Sequence, residues 1–189
     1  FFELFTEFGK NKKISKIPFR RIKYKDAMIK YGTDKPDLRN PIEIVDVTSI
    51  ISSEEVKLDI FKKMISQGSV VRAIPAPNTG TKPRSFFDDY NNWAKEEGGK
   101  GLGYIILEKN NNKIIGKGPI GKFFSDEAVS ELAKVCKLKE NDAVFFSCDK
   151  LKDAEKISGL ARQKLGNDLN LLNHDIFEFC WIVDFPMYE

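Results

Sequence analysis

The sequence predicts an α+β fold, a two-layer sandwich with a mainly antiparallel sheet and helices on one face, and three observations carry that prediction. From residue 56 onward, stretches with a two-residue apolar period alternate with stretches of helical period, in the order ββ-α-ββ-α-β-α. The joints between them are short and marked by Gly, Pro or Asn. The 189 residues are 41% hydrophobic and 31% charged, which leaves enough apolar material for a core under a charged surface.

Each element has a local reason. Phe1, Phe2, Leu4, Phe5 and Phe8 form a helical stripe that Gly9 ends, and residues 10–16 read as a basic loop. Residues 17–22 are short and extended and feed a helix at about 24–31. That helix places Tyr24, Ala27, Met28 and Tyr31 on one face and stops at Gly32. Pro36 and Pro41 bracket a non-helical stretch over 34–40. Residues 56–60 alternate like a strand, and 69–74 make a second strand after Gln67-Gly68; Pro75, Pro77 and Gly80 then form a loop. Phe86 or Phe87, Tyr90, Trp93 and Ala94 mark a helix over 84–97, closed by Gly98-Gly99. Residues 102–107 are a strand, Asn110-Asn111-Asn112 a hairpin-like turn, and Ile114-Ile115 the start of the return strand. Ser125 caps a helix with Asp126 and Glu127 in its first turn and Val129, Leu132, Ala133 and Cys136 inside. Residues 142–147 are a strand and about 150–165 the last helix. Phe86, Tyr90, Trp93 and the pairs Phe123-Phe124 and Phe145-Phe146 read as core, each buried Phe contributing about 1.5–3 kcal/mol.

Composition excludes many chemistries. No window approaches the roughly 18 apolar residues of a membrane span, so no membrane partner is expected. Cys136, Cys148 and Cys180 share no C-x-x-C spacing and read as free thiols in a reducing cytosol. His174 is the one histidine, beside Asp175 in a polar turn, which argues against a Cys/His zinc site and a Ser-His-Asp triad. Phosphate-cradling glycine loops are absent. The charge is uneven: residues 10–39 hold eleven Lys/Arg against three acids, while the whole chain nets +3. Such a basic stretch is the footprint of a polyanion partner or, more plainly, a solvated lysine-rich connector. Lys outnumbers Arg 25 to 6, so bidentate clamps on phosphate or bases are few.

Seven blocks, in order, resemble the bacterial-type aspartyl-tRNA synthetases. They are Tyr31-Gly32-Thr33-Asp34-Lys35-Pro36-Asp37-Leu38-Arg39-Asn40-Pro41, then Val70-Val71-Arg72-Ala73-Ile74-Pro75-Ala76-Pro77, Lys100-Gly101-Leu102-Gly103-Tyr104-Ile105 and Gly118-Pro119-Ile120-Gly121-Lys122-Phe123-Phe124. Val144-Phe145-Phe146-Ser147-Cys148-Asp149-Lys150, the stretch from Gly159 to Leu169, and Trp181-Ile182-Val183-Asp184-Phe185-Pro186-Met187-Tyr188-Glu189 complete the set. The resemblance implies a GAD/DCoH-like insertion domain at 51–172, entered from a class II catalytic-domain segment at 1–50 and left through a return strand at 173–189. The chain then reads as a piece of a longer one, since it opens inside a helical stripe and closes in an apolar run.

The same resemblance implies a cytoplasmic parent enzyme, a homodimer that uses ATP and Mg²⁺ to activate L-aspartate and transfer it to tRNA. Class II motifs 1, 2 and 3 and the aspartate-selecting stretch fall outside these residues. The piece itself is therefore expected to be a monomer without catalytic, substrate-binding or metal-binding residues or bound cofactor. Its candidate tRNA contacts are Lys35, Arg39, Lys82, Arg84, Lys100, Lys117 and Lys122, which would position phosphates without reading bases. For 34–39, salt bridging within the chain explains the same residues. Pro75-Ala76 replaces an Arg-Val pair of the family, removing a basic group, and Cys148 and Ala161 also depart from its pattern. A stand-alone RNA-binding module, or a GAD-bearing piece of the tRNA-dependent amidotransferase B subunit, are the alternatives. The blocks at 34–39 and 181–189, outside the insert, favour the ligase.

Overall fold

Helix α1 (Phe2–Phe8) ends as its sequence predicts, with the Gly9 N–H donating to Phe5 O at 2.9 Å. The structure, a computed structural model, describes all residues except Asn112 and Glu189. Within the expected basic loop lies a two-residue strand, β1 (Lys13–Ile14), followed by β2 (Arg20–Lys23) and, without a break, α2 (Tyr24–Tyr31). Ala27 and Tyr31 are buried, and α2 stops at Gly32 with φ 67°. A Cβ at Gly32 would stand 2.6 Å from Gly159 Cα, so this glycine answers both a left-handed turn and a close approach of two backbones.

Strand β3 (Val45–Asp46) and α3 (Thr48–Ser52) come next, both too short to show a period in sequence. Residues 56–60 are not a strand. Val56 makes only an isolated antiparallel bridge to Phe124, and α4 (Asp59–Ser66) has already begun at Asp59. Val56 and Leu58 are buried but Ile60 is 70% exposed; the alternation ends there, and Phe61, Met64 and Ile65 turn inward at helical spacing. Strand β4 (Val70–Ala76) runs through Pro75, which faces Val144 across the ladder rather than sitting in a loop.

Helix α5 (Arg84–Glu96) buries Phe87, Tyr90 and Ala94. The hairpin β5 (Gly103–Asn110) and β6 (Lys113–Lys117) follows; of its expected turn, Asn112 lies outside the described residues. Ser125 caps α6 (Asp126–Val135) by accepting from the Ala128 N–H at 3.1 Å. Every residue of β7 (Ala143–Asp149) is buried, and α7 (Leu151–Asp168), β8 (Ile176–Phe177) and β9 (Cys180–Val183) close the chain.

The sheet has five strands in the order β3-β4-β7-β5-β6, each antiparallel to its neighbours. The α+β class and the antiparallel sheet hold, but the helices lie on both faces rather than one. Val144, Phe146 and Cys148 of β7 face α3, α4 and α6, while Ala143 and Phe145 face α5 and α7. Central strands that are apolar on both sides, as β4 and β7 are, need cover on both sides. Two further pairs, β1–β8 and β2–β9, are parallel, and the second sets Arg20 beside Cys180 and Lys23 beside Val183. Ile22, Ala27 and Tyr31 pack there against Leu38, Cys180 and Ile182. Among the described residues no helix is long and apolar enough to cross a membrane.

Candidate functional site

The turn that follows α2 is held from two sides. Within it, Asp37 accepts from Arg39 Nε at 2.9 Å, Arg39 Nη2 at 2.7 Å and the Arg39 N–H at 3.0 Å. Those donations hold the Asp37 carboxyl below the usual carboxylate range. Lys35 pairs with its neighbour Asp34 at 2.9 Å. From the other side comes Arg162 of α7, fully buried. Its Nε donates to Ile42 O at 2.6 Å, and its Nη2 donates to Asp37 O at 2.9 Å and Asn40 O at 2.8 Å. Asn40 Nδ2 donates back to Arg162 O at 2.8 Å, and Asn40 Oδ1 accepts from the Ile42 N–H at 3.1 Å. The Tyr31 ring centroid lies 4.8 Å from the guanidinium carbon. One side chain of the last helix thus fixes the segment that leads from α2 into the sheet.

Sequence reasoning missed Arg162 as an organising residue. The available signal was a charge set among Ala154, Ile157, Ala161 and Leu165 on an apolar helical face. Its acceptors are backbone carbonyls some 120 residues earlier, which no side-chain pattern announces. A second buried guanidinium, Arg72 of β4, stands with Nη1 2.5 Å from Asp46 Oδ2 and Nη2 3.9 Å from Glu155 Oε1. Burial pushes the Glu155 carboxyl above its ordinary range, against the pull of Arg72.

The seven predicted contact residues are all engaged within the chain. Lys35 and Arg39 pair with Asp34 and Asp37 as described. Lys82 stands 5.9 Å from the centroid of the Phe86 ring, and Arg84 pairs with Asp88 at 3.2 Å in the first turns of α5. Lys100 Nζ donates to Asp149 at 2.6 Å, which raises the lysine above its ordinary range. Lys117 pairs with Glu108 across the β5–β6 hairpin, and Lys122 lies 5.1 Å over the Phe123 ring. Apart from Arg39 the cations themselves are exposed, so these contacts are weak and leave the side chains available to a stronger anion. Lys100 also borders a groove of about 440 Å³ with Phe61, Met64 and Tyr104. His174 is exposed in the turn before β8, and among the described residues no cluster of three or more His, Cys, Asp or Glu is placed to hold a metal ion.

Residues 61–158 match the GAD domain family. Over 186 residues, 98% of this chain, the sequence is 52% identical to the aspartate–tRNA(Asp/Asn) ligase of Methylocella silvestris and 48% identical to that of Pelagibacter ubique. A third relative of the same name, from Paramagnetospirillum magneticum, is 50% identical over the same length. The chain spans 30%, 31% and 20% of the length of these three relatives.

Proposed function

This chain belongs to the GAD domain family, and from that premise we propose that it is the insertion module of an aspartate–tRNA ligase together with the strands that join it to its host. The module is residues 51–172, with β3 of the entering segment completing its sheet; residues 1–50 and 173–189 belong to the catalytic domain. The observation that carries this reading is the parallel pairing of β2 with β9. A domain inserted into another leaves and re-enters its host at neighbouring points, and the GAD match lies wholly between these two strands. The match to the ligases also runs over both flanks, which supports this reading over that of an amidotransferase subunit or a free RNA-binding module.

In the whole protein, a cytoplasmic homodimer, aspartate is activated with ATP and Mg²⁺ and passed to tRNA. The residues described here do not fit a nucleotide–metal site, since they offer no carboxylate cluster for the ion, so the chemistry is assigned to the rest of the protein. This chain contributes positioning. Arg162 fastens α7 of the module to the 37–42 segment of the host side, so the two sides turn together. Lys35, Arg39, Lys82, Arg84, Lys100, Lys117 and Lys122 are its tRNA-contact candidates, reached by trading weak internal pairs for phosphate.

A chimaera tests the proposal. With this chain in place of the matching stretch of the Methylocella silvestris ligase, aspartylation of tRNA is expected to stay within about tenfold of that ligase, a loss of ~1.4 kcal/mol in transition-state stabilisation. A folded chimaera that charges no tRNA contradicts it.

A further inference from the structure

The basic surplus of residues 10–39 separates into two kinds of cation. Lys23, Lys30, Lys35 and Arg39 each stand within 3.7 Å of a carboxylate, those of Asp184, Glu43, Asp34 and Asp37. Lys10, Lys12, Lys13, Lys16, Arg20, Arg21 and Lys25 are exposed, and among the described residues none of them forms an ion pair. Of these seven, Lys12 lies 5.7 Å from the centroid of the Phe177 ring and Arg20 donates to the Tyr31 hydroxyl at 3.4 Å, but none meets a carboxylate among the described residues.

Three of these cations converge. Lys13, Lys16 and Arg20 line one open groove of about 590 Å³, where the β1–β8 and β2–β9 pairs meet. Ser15 and Phe179 border it as well, and Glu178 is its one acid. The Phe179 ring is held in place by Phe5 at 4.9 Å and Phe19 at 5.2 Å between centroids, giving the groove a fixed apolar wall. Basic side chains along a floor with an aromatic at the side suit a ribose-phosphate strand, whose charge the cations meet and whose sugar or base faces lie on the ring. Two of the three cations are lysines, point charges that neutralise phosphate without reading base edges.

We propose that this groove, where the entering and return segments meet, holds the phosphate backbone of the tRNA as its main anchor, ahead of the weaker candidates on the module's own surface. The proposal rests on the tRNA ligase reading above and names the surface that reading leaves open.

The experiment titrates the 189-residue chain with tRNA specific for aspartate between about 50 and 200 mM salt, each phosphate contact adding ~0.7–0.9 to the slope of log affinity against log salt. Four proteins are compared: the wild type, the triple variant Lys13→Gln, Lys16→Gln and Arg20→Gln, the single variant Glu178→Gln, and an insert triple, Lys82→Gln, Arg84→Gln and Lys122→Gln. The groove triple is expected to lose roughly tenfold or more in affinity and about 2–3 in slope. Glu178→Gln is expected to bind more tightly, a gain that damaged folding does not produce. The insert triple, whose cations are already engaged within the chain, is expected to lose less affinity and less slope than the groove triple. Unchanged affinity and slope in the groove triple overturn the proposal, as does a loss confined to the insert triple; both leave the ligase reading intact. If the wild type binds no tRNA even at the lowest salt, the groove proposal is likewise overturned, and charging by the chimaera decides separately whether the ligase reading stands.

Discussion

Replacing Arg162 with methionine is expected to destabilise the chain by about 3–5 kcal/mol, the loss typical of removing one partner from a buried charged network. Methionine is close in length and fills most of the volume, so the cavity left behind is small. The cost comes from the acceptors. The carbonyls of Ile42, Asp37 and Asn40 lose their donor together, and those of Ile42 and Asn40 are buried where water does not replace it. Working the other way, burial already pulls the guanidinium below its ordinary affinity for protons, so removing the charge recovers part of its desolvation cost. Two buried acceptors stranded at ~1–3 kcal/mol each, with the partly buried Asp37 carbonyl beside them, outweigh that recovery. At ~2–4 °C per kcal/mol for a chain of this size, the thermal midpoint falls by roughly 10 °C. Arg162→Lys keeps the charge but not the fork, and is expected to recover little of the loss. Exchange of the Ile42 amide, which donates to Asn40 Oδ1 beside this network, should accelerate along with unfolding. A midpoint within ~2 °C of the wild type would show that Arg162 is not the fastener described.

Phe145→Ala is expected to cost a similar amount, about 3–5 kcal/mol. Phe145 lies at the centre of β7 with no exposed surface. Its ring sits 5.1 Å from Tyr90, 5.6 Å from Phe87, 6.3 Å from Tyr104 and 6.5 Å from Phe86, centroid to centroid. The surroundings have little freedom to collapse into the gap, because the Tyr90 O–H is fixed by donation to Asp168 at 2.7 Å. That restraint places the loss towards the upper end of the range. Phe145→Leu keeps most of the apolar volume and is expected to cost less than half as much by chemical denaturation. Equal losses for the two variants would mean that ring packing, rather than volume, dominates this side of the sheet.

The elements that could be read from the sequence are those in which a local rule and the tertiary packing agree. Gly32 ends α2, Ser125 caps α6 and the Phe87–Tyr90–Ala94 face defines α5, because each is set by neighbours within a turn or two. Strand β3 and helix α3 were illegible at two and five residues, where periodicity has no room to appear. Residues 56–60 misled for the opposite reason: Val56 and Leu58 alternate on the way into a helix, and three positions do not separate a period of 2 from one of 3.6. Cover on both sheet faces was half visible in the apolar runs of β4 and β7. On the candidate site, the charged pairs of 34–39 followed from spacing, since Asp37 and Arg39 reach one another within the turn. The partners of Lys100 and Arg162 lie about 50 and 120 residues away in sequence and belong to the fold alone.

Strand β2 lies beside β9, the one adjacency the insertion module requires, and a cross-link tests it most directly. Arg21 and Trp181 are register partners there, both exposed, on strands whose spacing of about 4.8 Å falls within the Cα separation a disulfide spans. The test protein carries Arg21→Cys and Trp181→Cys, with Cys180→Ser to remove a neighbouring thiol. Burial pushes the Cys136 thiol up to about 12 and the Cys148 thiol up to about 11, so neither competes under mild oxidation near neutral pH. The expected result is an intramolecular disulfide between residues 21 and 181 in most of the folded protein, found by peptide mass, with the thermal midpoint kept or raised. Bonds formed only between separate chains, or none while the protein remains folded, would contradict the paired entry and exit on which the insertion-module reading rests.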